Sequence, residues 1–217
     1  MFRIKKTAMA ALVGLIVGAD VTCVQAAIVT MNAGRVADII VTTREVAIHH
    51  LIDVAINPNA PKITLNLQNP HAREFVREAT STLLENAIYL EAESISAVPL
   101  THEKLNTYVA QVQKKLKRNS EWQKYAVSPL ELKNILTRMV RAKDFIRFKV
   151  DSASVPISDR EAEEYFNNNR VKFENLQFAK VKENIKGFLT KQQVDHRMKE
   201  WFELLQSKYH LQNQLGE

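Results

Sequence analysis

Apolar side chains recur every three or four residues along most of the chain, and that period is typical of amphipathic α-helices. Start signals mark several of these helices. Thr42 precedes Glu45 by three residues, as in a capping box, and residues 158–161 (SDRE) repeat the arrangement. Residues 128–131 (SPLE) combine an N-cap serine with a proline at the first helical position. These patterns predict a mostly α protein.

The same pattern sets the approximate bounds of about six helices. They cover residues 43–55, 70–94, 102–118, 129–148, 158–166 and 178–209. The last helix is the longest, although Thr190 with Gln193 leaves open a new cap and a break near residues 187–190. Two stretches favour extended backbone, the apolar run 36–41 (VADIIV) and the alternating stretch 63–67 (ITLNL). At most a short extended pairing is therefore expected.

The first 26 residues have the pattern of a secretory signal peptide. Three basic residues near Met1 precede the apolar run 7–19, and residues 24–26 (VQA) supply small side chains for cleavage after Ala26, with Ala27 as the alternative. A transmembrane anchor needs about 20 apolar residues, and this run is shorter. The organisation expected is a signal peptide over residues 1–26 and a single helical domain over residues 27–217.

Cysteine usage and charge narrow the chemistry. Cys23 is the only cysteine, and residues 20–22 (DVT) before it make a poor lipobox. Cleavage after Ala26 therefore leaves no disulfide, no thiol nucleophile and no zinc–thiolate site. The full chain carries +6, of which the first 26 residues hold three basic groups and one acid, so +4 would remain. For a mildly basic exported protein we expect no nucleic acid partner, and anionic lipid headgroups or acidic polypeptides are the favoured contacts.

Catalytic and metal-binding patterns are weak. His49, His50 and Asp53 are the nearest approach to a metal site, but a site needs three or four ligands and no other His or Cys clusters with them. The sequence has neither a G-x-S-x-G elbow nor a glycine-rich phosphate loop. We therefore predict no enzyme activity, no metal, no cofactor and no small-molecule substrate.

The order of these pieces resembles that of the SurA family of periplasmic chaperones and foldases, with the related PpiD and PrsA proteins. The matching pieces span about residues 36–209. They are 42–46 (TTREV), 128–136 (SPLELKNIL), 155–166 (VPISDREAEEYF), 181–185 (VKENI) and 200–202 (EWF). The resemblance implies a multi-helix chaperone domain of the SurA N-terminal type, closed by a long C-terminal helix.

The chain departs from that family in one place. Relatives usually insert one or two parvulin-type prolyl isomerase domains, each about 90 residues, before the closing helix. Here only about ten residues, from 167 to 178, occupy that position. The resemblance then implies a periplasmic holdase that has the chaperone module alone. Its implied partners are unfolded polypeptides and outer-membrane protein precursors.

Five aromatic residues in the middle helices are candidates for client binding, although core packing is the alternative for each. They are Tyr108, Trp122, Tyr125, Phe145 and Phe148. Two other functions stay open. One is a structural or adaptor role, in which the domain docks a specific partner or forms a homodimer by exchanging helices. The other is a residual isomerase, for which a glycine-rich insertion would be the signal.

Overall fold

Helices dominate the computed structural model, which describes residues 30–95 and 99–216. The helices in these residues are α1 (Thr43–Ile56), α2 (Arg73–Ile95), α3 (His102–Leu116), α4 (Ser120–Tyr125), α5 (Pro129–Ala153), α6 (Asp159–Asn168), α7 (Arg170–Phe173) and α8 (Phe178–Lys208). The strands are β1 (Asn32–Val36), β2 (Ile39–Thr42) and β3 (Gln212–Asn213). The prediction of a mostly α fold with a long C-terminal helix is confirmed.

Helix starts follow the capping signals in the sequence. The hydroxyl of Thr42 accepts a hydrogen bond from the Glu45 amide at 3.1 Å, and the hydroxyl of Ser128 accepts one from the Glu131 amide at 3.1 Å. The side chain of Ser158 accepts from the amide at the third helical position, and the carboxylate there accepts from the Ser158 amide. Each cap satisfies amides that have no partner inside the helix.

Several bounds differ from the prediction. α2 begins at Arg73, three residues late, because residues 69–72 form a turn closed by the Ala72 amide on the Asn69 carbonyl. The short α4 and α7 were missed, and α5 runs five residues further than expected, to Ala153. α8 is continuous from Phe178 to Lys208, so it has no break near residue 190.

A small antiparallel sheet ties the two ends of the described chain together, with strand order β2-β1-β3. The apolar run 36–41 is split by a turn in which Ala37 adopts φ 49°, so the run contributes to two strands. Residues 63–67 form no strand. A Cβ at Gly34 would overlap the Gln212 carbonyl, so β3 can approach β1 only because glycine stands there.

The buried side chains form three clusters. The first lies between the sheet, α2, the middle of α5 and the end of α8, and the second lies between α1, α3, α4 and the start of α5. Together with the sheet, these elements are called the body below. The third cluster lies between α6, α7 and the first half of α8, and this part, residues 157–189, is called the arm.

The expected signal peptide, residues 1–26, lies outside the described residues. Among the helices that the structure describes, none is both long enough and apolar enough to cross a membrane.

Candidate functional site

The apolar stripe of α8 changes sides halfway along the helix. Ile185 is buried in the arm and Leu205 in the first body cluster, and Met198 is also buried. At 3.6 residues per turn, Met198 and Leu205 lie about 20° apart around the axis, but Ile185 lies about 140° from Met198. One continuous helix therefore serves two cores, first facing α6 and then facing α2 and α5.

Aromatic rings fill the arm. Phe166 contacts Phe173 and Phe178 with ring centroids 5.0 and 5.5 Å apart, and Tyr165 contacts Phe188 at 5.6 Å. Only four arm residues are buried, each at most 8% exposed: Ile157, Ala162, Phe166 and Ile185. The outer rings are thus in contact with each other while part of their surface remains open. Phe188 is 51% exposed.

Two lysines of α8 fix the start of α6. Lys182 and Lys186 both donate to the carboxylate of Asp159, the former at 2.8 Å. Hydrogen bonds from these two ammonium groups lower the pKa of Asp159 to about 2. The Ser158 hydroxyl and amide, which donate to Glu161, likewise lower the pKa of that carboxyl. Both acids are therefore ionised at neutral pH, and Asp159 holds the start of α6 against α8.

A groove of about 620 Å³ opens between α6 and the middle of α8. It is lined by Ile157, by Glu161, Glu164, Tyr165 and Asn168 of α6, and by Leu189, Gln192, Gln193 and His196 of α8. On each helix the lining positions repeat at offsets of three, four and seven, so each helix presents one face. The α8 lining positions, residues 189–196, coincide with the segment in which the apolar stripe changes sides.

Chemically, the groove combines an apolar floor with a polar rim. Ile157, Tyr165 and Leu189 supply the floor, and amides and carboxylates supply most of the rim. Such a surface can bind an extended peptide through apolar burial and rim hydrogen bonds, without any catalytic group. Val171, on α7 and outside the groove, is a further exposed apolar residue of the arm, with 92% of its surface open.

The five aromatic residues that the sequence suggested for client binding fall into two groups in the structure. Three lie in the second body cluster and two lie on α5. Tyr108, Trp122 and Tyr125 pack in the second body cluster, where Tyr125 is buried and also lines a smaller cavity of about 310 Å³. Phe145 is buried in the first cluster against Trp201, with centroids 5.7 Å apart. Phe148 stacks on Phe145 at 5.9 Å and is 47% exposed. None of the five lines the arm groove.

Sequence reasoning missed the residues that do line the groove. The signal was present, because residues 178–189 and residues 198–205 each have a helical stripe but the two stripes are out of phase. A phase change inside one helix indicates two different neighbours, and the intervening segment is where a groove can form.

His49 and His50 pair with acids in the body. His49 Nε2 lies 2.9 Å from a carboxylate oxygen of Glu85. The two groups interact through their charges, because the geometry does not meet the criteria of a hydrogen bond. His50 Nδ1 lies 3.3 Å from the carboxylate of Glu78. Burial alone would lower the pKa of His49, but the charges of Glu85 and then Asp53 outweigh it and raise that pKa above its ordinary value. The described residues contain no cluster of three or more potential metal ligands.

Comparisons with protein-family models, with curated proteins and with solved structures gave no significant match. The resemblance to SurA-type chaperones therefore stays a prediction from the sequence.

Proposed function

We propose that this protein is a periplasmic holdase: it binds unfolded polypeptides, including outer-membrane protein precursors, in the arm groove and has no prolyl isomerase activity. The observation that carries the proposal is the groove itself. Its floor is apolar and aromatic, its rim is polar, and it lies on an arm that contacts the body mainly through the continuation of α8.

The size of the groove supports a loosely specific peptide site. The lining face of α6 spans Glu161 to Asn168, which at 1.5 Å per residue is about 10 Å. An extended peptide covers that length with about three residues. Three residues with one or two apolar side chains bury too little surface for tight binding, so contacts form and break readily. Weak binding of short segments is the behaviour a holdase requires, because its client must leave in order to fold.

Exposed aromatic surface supports the same function. Phe188 on the arm and Phe148 on α5 both leave about half of their side-chain surface open. Each buries more apolar area when a client segment covers it, and apolar burial contributes roughly 25 cal/mol per Å². Both residues belong to helices, whose backbone is already ordered, so little further ordering opposes the contact.

The short connection between α6 and α8 supports the absence of isomerase activity. Asn169 ends one helix, α7 occupies residues 170–173, and Glu174 with φ 44° turns the chain into α8. A parvulin domain of about 90 residues has no place in that connection. In a prolyl peptide assay we expect the rate of the uncatalysed reaction. A protein-dependent acceleration would refute this part of the proposal.

The location in the periplasm rests on the sequence of residues 1–26. Their basic start, apolar run and small residues before Ala27 are typical of an exported precursor. Cell fractionation with an epitope at the C-terminus tests this. A shortened protein in the periplasmic fraction is expected, and a full-length protein in the cytoplasmic fraction would contradict it.

Light scattering tests the holding activity. A chemically unfolded outer-membrane protein is diluted into buffer with increasing amounts of residues 27–217. We expect scattering to fall in proportion to the added protein. Unchanged scattering from a protein that is folded and helical by circular dichroism would remove the holdase proposal and favour an adaptor that docks one folded partner.

A further inference from the structure

The rim of the arm groove is acidic, although the protein as a whole is basic. Of the nine lining residues, Glu161 and Glu164 carry a formal negative charge and none is a lysine or an arginine. The full chain carries +6. Net charge alone favours acidic clients, so the groove and the whole molecule predict opposite preferences.

The two rim carboxylates keep most of their charge. The two bonds from Ser158 both reach one oxygen of Glu161, Oε2, at 2.8 and 2.6 Å. Glu164 has only Arg160 beside it, with Arg160 Nε 3.6 Å from Glu164 Oε1 and both side chains mostly exposed. A pair that exposed is largely screened by water. Asp159, in contrast, is offset by two lysines and adds little to the rim.

A segment bound in the groove interacts mainly with the charges nearest to it and less with the net charge of the whole chain. At physiological ionic strength, interactions between exposed charges weaken over about 8 Å. Glu161 and Glu164 are one turn apart on one helix face, so their side chains are neighbours at about 5–6 Å between Cβ atoms. A segment lying in the groove is within reach of both carboxylates.

The aromatic rings of the arm also favour cations. Arg170 lies over the ring of Phe166 at 4.5 Å, and Lys172 lies over the ring of Tyr165 at 5.8 Å. Tyr165 forms part of the groove floor. The faces of these rings attract cations, and Arg170 and Lys172 already occupy part of that surface.

We propose that the arm groove selects unfolded segments in which a short apolar stretch is flanked by lysine or arginine. The apolar side chain lies on Tyr165 and Leu189, and the flanking cation reaches Glu161 or Glu164. This inference rests on the proposed function, because it names the class of segment that the same groove holds. Two exposed charge pairs are expected to raise affinity about fivefold over a neutral segment.

Three dansyl-labelled peptides test the preference by fluorescence titration. They share an apolar centre of three residues with one tyrosine, and they carry lysine, glutamine or glutamate on both sides. We expect the lysine peptide to bind about fivefold more tightly than the glutamine peptide and the glutamate peptide to bind most weakly. The order should collapse in 1 M salt, where screening acts over about 3 Å.

Variants test whether Glu161 and Glu164 cause the preference for the lysine peptide. Glu161→Gln keeps a side chain that can complete the capping box, and Glu164→Gln removes the second charge. The double variant should bind all three peptides with the affinity of the glutamine peptide. Glu163→Gln is the matched control, since Glu163 is exposed on the same helix but does not line the groove. It should keep the preference.

The failure of this inference differs from the failure of the proposed function. Equal binding of all three peptides, tighter binding of the glutamate peptide, or a lysine preference that survives in the double variant overturns the charge selection and leaves the holdase proposal standing. If none of the three peptides binds and the protein also fails to reduce scattering, both are overturned. If none binds while scattering still falls, only the charge selection is overturned.

Discussion

The body and the arm are built from the same kind of amphipathic helix, yet they differ in how much they bury. The two body clusters contain fourteen and twelve buried residues, and the arm cluster contains four. Ion pairs also join the body helices at their crossings, among them Arg138 with Glu45 and Lys143 with Asp53, both at 2.6 Å. The arm has one such anchor, Asp159 with two lysines. Burial of apolar surface dominates stability, so the arm is the part that can change or open without unfolding the rest.

That contrast gives a rationale for placing a binding surface on the arm. A residue that is fully buried cannot contact a client, and a body core that opened would expose the whole protein to aggregation. The arm keeps aromatic rings partly open at a modest local cost, while the body holds α8 in place. The predictions below test this division, from the largest expected effect to the smallest.

Truncating a body aromatic should have the largest effect. Phe145 is 1% exposed and lies against Trp201 and Phe148, so Phe145→Ala should lower the free energy of unfolding by about 3–5 kcal/mol. Phe148→Ala, one turn further along the same helix at a half-exposed site, should cost less than about 1.5 kcal/mol. Urea denaturation followed by circular dichroism measures both. Equal losses of stability in the two variants would contradict the difference in burial between Phe145 and Phe148.

The same substitution at two glycines should have opposite signs. Gly34→Ala in the sheet would bring a methyl group against the Gln212 carbonyl and within 2.6 Å of Leu83 Cδ1, so we expect a loss of about 1–3 kcal/mol. Gly187→Ala on α8 meets no atom within 4 Å and should stabilise the helix by about 0.5–1 kcal/mol. Thermal unfolding distinguishes the two. A loss at Gly187 would show that the arm needs flexibility there.

A histidine should make the body's stability depend on pH. The pKa of His49 is raised in the folded state, so its contribution is fully present below the unfolded value of about 6.5 and is lost as pH rises through the folded pKa. The groups facing it are Glu45 and Asp53 on α1, Glu85 on α2, and Arg138 and Lys143 on α5.

Urea denaturation between pH 5.5 and 9 measures this dependence. We expect the free energy of unfolding to fall across the upper part of that range, and Glu85→Gln should flatten the curve because it removes the main charge partner. His196→Gln, at an exposed site on α8, is the control and should leave the slope unchanged. A slope that persists in Glu85→Gln would assign the titration to another group.

Removing the anchor of the arm should give the smallest effect, confined to the arm. Asp159→Asn weakens the bonds to Lys182 and Lys186, so amides of residues 178–189 should exchange with solvent faster while those of α2 keep their rates. Asp195→Asn, an exposed change of the same kind on α8, should alter neither. Hydrogen exchange by mass spectrometry resolves the two regions. Faster exchange in α2 would show that arm and body open together.

The ion pairs of Asp159 with Lys182 and Lys186 also predict that acid destabilises the arm. The pKa of Asp159 is lowered to about 2, so its contribution is present above the unfolded value of 3.8 and is lost as pH falls from there through about 2. Over that window, the protection factors of the arm amides, which correct for the intrinsic pH dependence of exchange, should fall less in Asp159→Asn than in the parent protein, since the variant has no carboxylate to protonate. An identical fall in both would assign the acid effect to other groups.

Local signals in the sequence predicted the helix starts well. Thr42, Ser128 and Ser158 cap helices in the structure as the sequence indicated, because capping depends on neighbours three residues away. Asn119 caps the short α4 through the Trp122 amide, and this signal was overlooked. The two-residue β3 could not be predicted from its own sequence, because it forms only by pairing with the distant strand β1 at Gly34.

The candidate site was harder to predict because, like β3, it depends on contacts between residues that are far apart in the sequence. Whether Tyr125 or Tyr165 is buried depends on which helix packs over it, and the neighbours of each residue in the sequence do not specify that helix. Helix packing is non-local, so the sequence alone did not distinguish the half-exposed Phe148 from the buried Phe145 and Tyr125. The change of stripe in α8 was the one local signal of the groove, because residues 189–196 must connect two faces.

Blocking the groove tests the central claim most directly. Gln192 lines the groove on α8, and Gln192→Trp fills it with a large side chain at an exposed position. Gln206→Trp makes the same change at an exposed position further along α8, outside the groove. In the scattering assay with an unfolded outer-membrane protein, we predict that Gln192→Trp loses most of the protection and Gln206→Trp keeps it. Equal protection by both variants would contradict the arm groove as the site that holds unfolded chains.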